Sequence, residues 1–370
     1  MPIETINDPR IVLTLDAGGT SLKFSAIRGH QLLAGPSSLP SEANHLDRCL
    51  RNIVAGFESI QAQLPERAAA ISFAFPGPAD YPAGIISNVG NLPAFRGGVT
   101  LGPFLEAKFG IPVFINNDGD LFAYGEAMAG FLPYVNQLLA TAGSPKRYHN
   151  LFGLTLGTGL GGGIVRNGEL FIGDNSAAGE VWVLRNKLEP EVTAEEGASI
   201  RAVRRVYAAL CGIPVEQAPE PKVIFEIGVG SAEGTRSAAI EAFRRLGEVA
   251  GDVLAQALTL VDGVAVIGGG IAGAHPLFLP PLTAAMNSTF GGYSEGMPRL
   301  IPRAFNLEDA SERETFLRGE VREVNVPGSK RTVRYDPMQR TPVGISRLGT
   351  TEAVAIGAYA FALSRLGPKE

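Results

Sequence analysis

Asp16-Ala17-Gly18-Gly19-Thr20 separates two apolar runs, Ile11-Val12-Leu13-Thr14-Leu15 before it and Leu22-Lys23-Phe24-Ser25-Ala26-Ile27 after it. A second stretch repeats the arrangement: Leu151-Phe152-Gly153-Leu154-Thr155-Leu156, then Gly157-Thr158-Gly159-Leu160-Gly161-Gly162-Gly163, then Ile164-Val165-Arg166. The alternation in the flanking runs predicts paired strands, which makes each glycine turn the tip of a hairpin. Both copies close on a polar turn, Arg28-Gly29-His30 and Arg166-Asn167-Gly168, so the repeat covers a whole hairpin. Glycine tolerates positive φ and, lacking a Cβ, lets main-chain N–H groups approach a polyphosphate closely. Thr20 and Thr158 add hydroxyl donors, and Lys23 is either a phosphate contact or a solvated strand lysine. Neither turn ends in the Gly-Lys-Ser/Thr of a P-loop, and neither opens a long helix as a Rossmann fingerprint does, which disfavours both nucleotide folds.

Between and after the hairpins, helical and strand periods alternate. Apolar spacing predicts helices over 46–64, 101–109, 118–130, 200–210, 238–260 and 352–366. Buried strands are expected over 68–75, ending at Pro76-Gly77-Pro78, over 111–115, delivering Asn116-Asn117-Asp118, and over 264–267, running into Gly268-Gly269-Gly270. In the charged, proline-rich segment 299–347, residues 321–326 and 332–335 are expected to pair around Pro327-Gly328-Ser329. This pattern predicts an α/β architecture of two related domains. The N-terminal one is expected over 1–118, completed by the C-terminal helix 352–368, and the larger one over 119–351.

Composition sets the class. The chain has 370 residues, 45% hydrophobic and 19% charged, enough for two substantial cores. A formal net charge of -5 gives no electrostatic footprint for nucleic acid or an anionic membrane, so a small substrate is the expected partner. The first residues lack the basic start and apolar core of a secretory signal, no run reaches membrane-spanning length, and a cytoplasmic location is expected. The two cysteines, Cys49 and Cys211, are too few and too far apart for a disulfide framework or a metal cluster.

Taken together, the Asp16–Thr20 hairpin, Asn117-Asp118 followed by Gly125-Glu126, the Gly157–Gly161 turn, Asn175-Ser176-Ala177-Ala178-Gly179-Glu180 and Ile267-Gly268-Gly269-Gly270-Ile271 resemble the ROK family of sugar kinases and sugar-responsive repressors. The motifs stand in the family's order across nearly the whole chain. The resemblance implies the actin-like, ribonuclease-H-like two-domain ATPase fold, with sugar and ATP meeting in an interdomain cleft, and a homodimer. Asp118 matches the family's catalytic base, whose carboxylate takes the proton of a sugar hydroxyl as its oxygen attacks the γ-phosphorus of ATP. Asn117 would hold neighbouring hydroxyls, although an Asn-Asp pair at a strand end is also a helix cap. Asp16 resembles the acid that orients Mg²⁺ through water. Gly18, Gly19, Thr20, Lys23, Gly157, Thr158 and Gly159 match the phosphate-binding positions, and Gly268, Gly269 and Gly270 the adenosine pocket. Asn91 and the loop containing Gly77 lie where the family also contacts substrate.

Glu180 matches the first sugar-binding glutamate. Family members commonly continue with Gly-His and a cysteine-rich zinc loop; this chain reads Val181-Trp182-Val183-Leu184, with Val183 in the histidine's place. Without that histidine or a Cys-x-Cys run, no zinc site is carried over. Glu195, four residues before Ser199, best fits the second sugar-binding glutamate, with Glu196 as the alternative. Trp182 either stacks on the apolar face of a pyranose or belongs to the core. These features imply an ATP-dependent hexose or N-acetylhexosamine kinase. The competing implications are a catalytically silent sugar sensor and a ROK-type transcriptional regulator; only ten residues precede the first strand, too few for a DNA-binding module.

Overall fold

The computed structural model describes residues 5–87 and 92–367. The first glycine turn joins β1 (Val12–Ala17) to the antiparallel β2 (Ser21–Arg28), with Asp16 opposite Lys23. Gly29 and His30, both at positive φ, turn the chain into β3 (Gln31–Pro40), the two-residue connection whose twist suits a hairpin. Helix α1 (Leu46–Gln61) crosses to β4 (Ala70–Ala74), parallel to β1. A short pair, β5 (Ala79–Asp80) and β6 (Ile85–Ile86), precedes α2 (Leu101–Phe109), then β7 (Val113–Asn116), parallel to β4, and α3 (Asp118–Met128). The sheet order is β3-β2-β1-β4-β7.

The second half of the chain repeats that plan. After α4 (Phe131–Thr141), the second glycine turn joins β8 (Leu151–Leu156) to β9 (Leu160–Arg166). Asn167 and Gly168, again both at positive φ, lead into β10 (Glu169–Phe171). Helices α5 (Ile200–Cys211), α6 (Pro221–Val229) and α7 (Arg236–Val261) carry the chain to β11 (Val264–Gly268), parallel to β8. There follow α8 (His275–Met286), β12 (Arg303–Asn306), α9 (Ala310–Arg318), the hairpin of β13 (Arg322–Asn325) and β14 (Thr332–Tyr335), β15 (Arg340–Ile345) and α10 (Thr350–Leu366). The second sheet runs β10-β9-β8-β11-β15-β12. Except for the added edge strand β12, it reproduces the first sheet's order, so the duplication extends from the hairpins to the whole topology.

The chain groups into two compact units: Met1–Ala129 with Gly163–Ala178 and Thr350–Glu370, and Gly130–Gly162 with Gly179–Gly349. In the first unit one sheet face packs on α1 and α2 through Phe24, Phe57, Phe73 and Leu105, and the other packs on α10 through Val12, Ala70, Tyr359 and Leu363. Burial on both faces explains why 11–15 reads as a continuous apolar run. Helix α3 lies against α10 at contact distance because a Cβ on Gly125 would overlap the Ala353 carbonyl, and one on Gly357 the Leu121 carbonyl. That contact groups 119–129 with the N-terminal residues. In the second unit, Gly247 and Gly251 of α7 give α8 the same close approach. Among the described residues no helix is long and apolar enough to cross a membrane.

Candidate active site

In the first unit, two strand ends deliver two carboxylates to one cavity. Asp16 stands at the end of β1, and Asp118 follows β7 as the first residue of α3. Both line a cavity of about 420 Å³, together with Lys23, Phe75, Thr350 and Thr351. Asn117 caps α3: its Oδ1 accepts from Gly119 N–H at 2.6 Å, and Asp118 Oδ1 accepts the same N–H at 2.9 Å. The Asn-Asp pair is thus a helix cap and an acid mounted in the cavity wall at once. The Asp118 carboxylate meets solvent through the cavity and is otherwise walled in by protein. That desolvation raises its pKa above the ordinary carboxylate value; the Gly119 N–H opposes the rise, and the Asp16 charge adds to it.

The first glycine turn is closed by Gly18 N–H donating to Ser21 O at 3.0 Å. It is pinned from behind by Ser41, whose hydroxyl donates to Gly19 O at 2.6 Å and whose N–H donates to Thr20 O at 3.1 Å. Ser41 is buried, and a lone serine after a proline carries no motif that sequence reasoning could use. Thr20 and Lys23 are exposed. A Cβ on Gly77 would lie 2.9 Å from the Tyr81 hydroxyl, so that glycine makes room inside its own loop. Asn91 lies outside the described residues.

In the second unit, Gly157 N–H donates to Gly159 O at 3.0 Å, and Gly157 O accepts from Ile200 N–H at 2.8 Å, tying the second turn to the start of α5. None of Gly18, Gly157 and Gly159 has the positive φ that the glycine-turn argument suggested; at Gly18 and Gly159 space is what requires a glycine, while a Cβ on Gly157 would make only ordinary contact, 3.9 Å from Gly270 N. A Cβ on Gly159 would come within 2.7 Å of Glu195 Oε2, and one on Gly18 within 3.1 Å of Ser21 O. Glu195 Oε2 accepts from Leu160 N–H at 3.1 Å, and its Oε1 accepts from Arg201 at 2.8 Å. Arg201 also donates to the Thr158 carbonyl at 2.9 Å. Glu196 instead sits between Arg205 and Arg201, at 2.8 and 3.0 Å, and those guanidinium groups hold its carboxyl below the usual range. Of the acidic pair, Glu195 is the one that reaches the turn. Arg201 was not legible in the sequence, where it is one of several helix arginines.

Glu180 enters a short turn of 3₁₀ helix, Val181–Val183, and its Oε2 accepts from the Trp182 indole N–H at 2.5 Å. Trp182 is 40% exposed, which removes the core alternative. Gly268 ends β11, and Gly269, at φ 92°, has the Leu156 main chain where a Cβ would go. Gly270 and Gly273 face open space, forming a wall of a second cavity of about 340 Å³ with Pro221, Lys222, Phe225 and Glu226. Helix α6, which supplies those four, escaped the periodicity reading although Pro221 in its first turn is a start signal. Chemically, the first unit offers a basic carboxylate beside a second acid. The second offers a glycine turn tied to Glu195 and to the start of α5, and a mainly apolar cavity walled in part by glycine.

Comparison with known proteins places these features in company. The family model described as ROK family matches residues 12–311. The crystal structure of a glucokinase from Parabacteroides distasonis is 56% identical, covers 98% of this chain and 99% of its own, and superposes with a TM-score of 0.90. An N-acetyl-D-glucosamine kinase of Vibrio parahaemolyticus is 27% identical over 306 residues, 78% of this chain and 88% of that protein. A beta-glucoside kinase of Listeria monocytogenes is 28% identical over 211 residues, and the match spans 56% of this chain and 65% of that protein's length.

Proposed function

The chain belongs to the ROK family, and on that premise we propose that it is an ATP-dependent sugar kinase, phosphorylating a hydroxyl of a hexose or N-acetylhexosamine with Asp118 as general base. The names of its relatives support sugar phosphorylation, and the observation that carries the assignment of the base is the setting of Asp118. A general base must meet its substrate and hold a proton better than a solvated carboxylate does. Asp118 is reachable through its cavity, is mounted on the stiff junction of β7 and α3, and has a raised pKa. Phosphoryl transfer asks the protein mainly for positioning and charge stabilisation, which a rigid mount supplies.

The remaining roles in this reading are assigned unit by unit. Main-chain N–H groups of Gly19 and Thr20, and of Thr158 and Gly159, bind phosphate oxygens, with Lys23 adding a cation and with Gly18 and Gly157 closing the turns that present them. In the Gly268-Gly269-Gly270 segment, Gly270 leaves room for adenosine, extended by the cavity under α6, and Gly268 and Gly269 set it at the end of β11. Asn117, Glu180 and Glu195 orient sugar hydroxyls, with Glu196 held apart by Arg205.

Magnesium fits the donor set. Among the described residues no group of three or more His, Cys, Asp or Glu side chains could hold a metal, so no cage made wholly of protein is offered. Mg²⁺ needs none, since it keeps several waters and binds through one or two carboxylates plus substrate phosphates. Asp16, which shares the Asp118 cavity, is the residue that holds it through water. When bound, the ion neutralises charge on the phosphate oxygens. Such a reaction belongs where ATP is abundant, in the cytoplasm.

The test is a coupled ADP-release assay with Mg-ATP against glucose, mannose, fructose, allose, N-acetylglucosamine and N-acetylmannosamine. Sugar-dependent ADP release with at least one of them is expected. Silence across the panel, with sugar still raising the melting temperature, would favour a sugar sensor instead.

A further inference from the structure

Trp182 is the only tryptophan of the chain, and its exposure is hard to account for by packing. An aromatic ring of this size contributes to stability chiefly by leaving water, yet 40% of it stays in solvent, next to Val183 at 55%. The mount beneath it is firm. Val181 is buried and packs over Gly162, Leu184 N–H donates to Val181 O at 3.1 Å, and Ala194 N–H donates to Leu184 O at 2.7 Å. The turn carrying Trp182 packs against the 3₁₀ turn Ala194–Glu196, which carries Glu195. The indole N–H is committed to Glu180 Oε2. A held ring, an exposed apolar face and two carboxylates on adjacent turns therefore lie together in the second unit.

We propose that Trp182 is a specificity-determining residue of the sugar site, its ring a platform for a pyranose and its N–H the group that orients Glu180. This rests on the sugar-kinase reading above. A pyranose carries C–H groups on both faces, and an axial hydroxyl blocks the face it points from while leaving the opposite face free for an aromatic ring. That face lies flat on an aromatic ring, while the hydroxyls at the edge donate to carboxylate oxygens, the stronger kind of hydrogen bond. An axial hydroxyl at C4 lifts the sugar from the ring only when it points toward the ring. With the hydroxyl edge held by the carboxylates, one face is turned to the ring, and the platform thus discriminates between C4 epimers.

Because the chain has a single tryptophan, its emission reports on this site without labelling. The full-length protein is titrated with glucose, N-acetylglucosamine, galactose and N-acetylgalactosamine, and steady-state kinetics are measured for the wild type, Trp182→Phe and Trp182→Ala. The expected result is a saturable emission change with the member of a C4-epimer pair that supports turnover and a much weaker one, or none, with the other. Trp182→Ala should raise the KM for that sugar at least tenfold with the KM for ATP unchanged, and Trp182→Phe, which keeps a ring without the N–H, should recover part of the loss. Sugar-dependent turnover with unchanged emission, or an unchanged sugar KM in a folded Trp182→Ala variant, would overturn the platform while leaving the kinase standing, and an unchanged sugar KM in Trp182→Phe would overturn the part given to the N–H. A saturable emission change without ADP release would support the platform and overturn the kinase.

Discussion

Arg201 donates to Glu195 Oε1 at 2.8 Å while its other terminal nitrogen donates to the carbonyl of Thr158 at 2.9 Å, so one guanidinium fixes both an acid and the glycine turn beside it. The side chain is 47% exposed, and exposed ion pairs contribute only about 0.2–1 kcal/mol each. Arg201→Ala is therefore expected to lower kcat/KM by about three- to tenfold, since ~1.4 kcal/mol corresponds to a factor of ten, with Arg201→Lys intermediate. Steady-state kinetics varying ATP and sugar in turn check this.

Glu196 supplies a pH dependence of stability. Its folded-state pKa lies below the ordinary value because of hydrogen bonds from Arg205 and Arg201. A carboxylate depressed in this way adds stability that is present above its unfolded pKa and is lost as pH falls through the folded one. Arg205→Ala should therefore flatten the decline in melting temperature on acidification below the ordinary glutamate range, relative to the wild type.

Asp118 behaves in the opposite sense. Its raised pKa means that the native state binds the proton more tightly than the unfolded chain, so the ionised acid costs stability above that pKa. The acid limb of the kcat/KM profile is expected above the ordinary carboxylate range. Asp16→Asn removes a neighbouring negative charge and should shift the limb of the remaining activity to lower pH. Asp118→Asn should melt at a higher temperature than the wild type near pH 8.

Gly270 separates space from stability. A Cβ there meets no atom within 4 Å and the residue has ordinary φ, so Gly270→Val should leave the melting temperature nearly unchanged. Its branched side chain would occupy the cavity beneath α6, raising the KM for ATP at least tenfold and leaving that for sugar alone. At Gly357 the outcome reverses. A Cβ there overlaps the Leu121 carbonyl, and overpacking of this kind costs about 1–3 kcal/mol, more when main chain must move, so Gly357→Val should lower the melting temperature by several degrees.

Much of this was legible in the sequence because it is local. The glycine turns between alternating runs, the two-residue polar turns, and helices such as α2 and α7 are written in nearest-neighbour chemistry. Several of the elements that escaped notice carry residues whose local preference opposes their place. Helix α8 contains Pro280 and Pro281, which read as a break. Strand β15 lies between β11 and β12 although it contains Pro342, a residue usually confined to edges. Strand β3 holds Gly35 and Pro36 and has a mostly exposed side-chain pattern, so it resembles a loop. In the site, Asp16, Asp118 and the glycines were visible as motifs. Ser41, Arg201, Thr350 and the α6 wall act through contacts distant in sequence, which no spacing rule reveals. Gly125 was read as part of a family motif; the structure shows a packing reason for it, the contact with Ala353.

The most direct test of the account is the comparison of wild type and Asp118→Asn with one sugar that supports turnover, following both ADP release and calorimetric sugar binding. The account predicts that turnover falls by at least a hundredfold, the usual lower scale for losing a general base, while the sugar Kd changes by less than about threefold, an informal bound equivalent to ~0.7 kcal/mol. Turnover that survives with unchanged binding would contradict it and remove Asp118 from the chemistry.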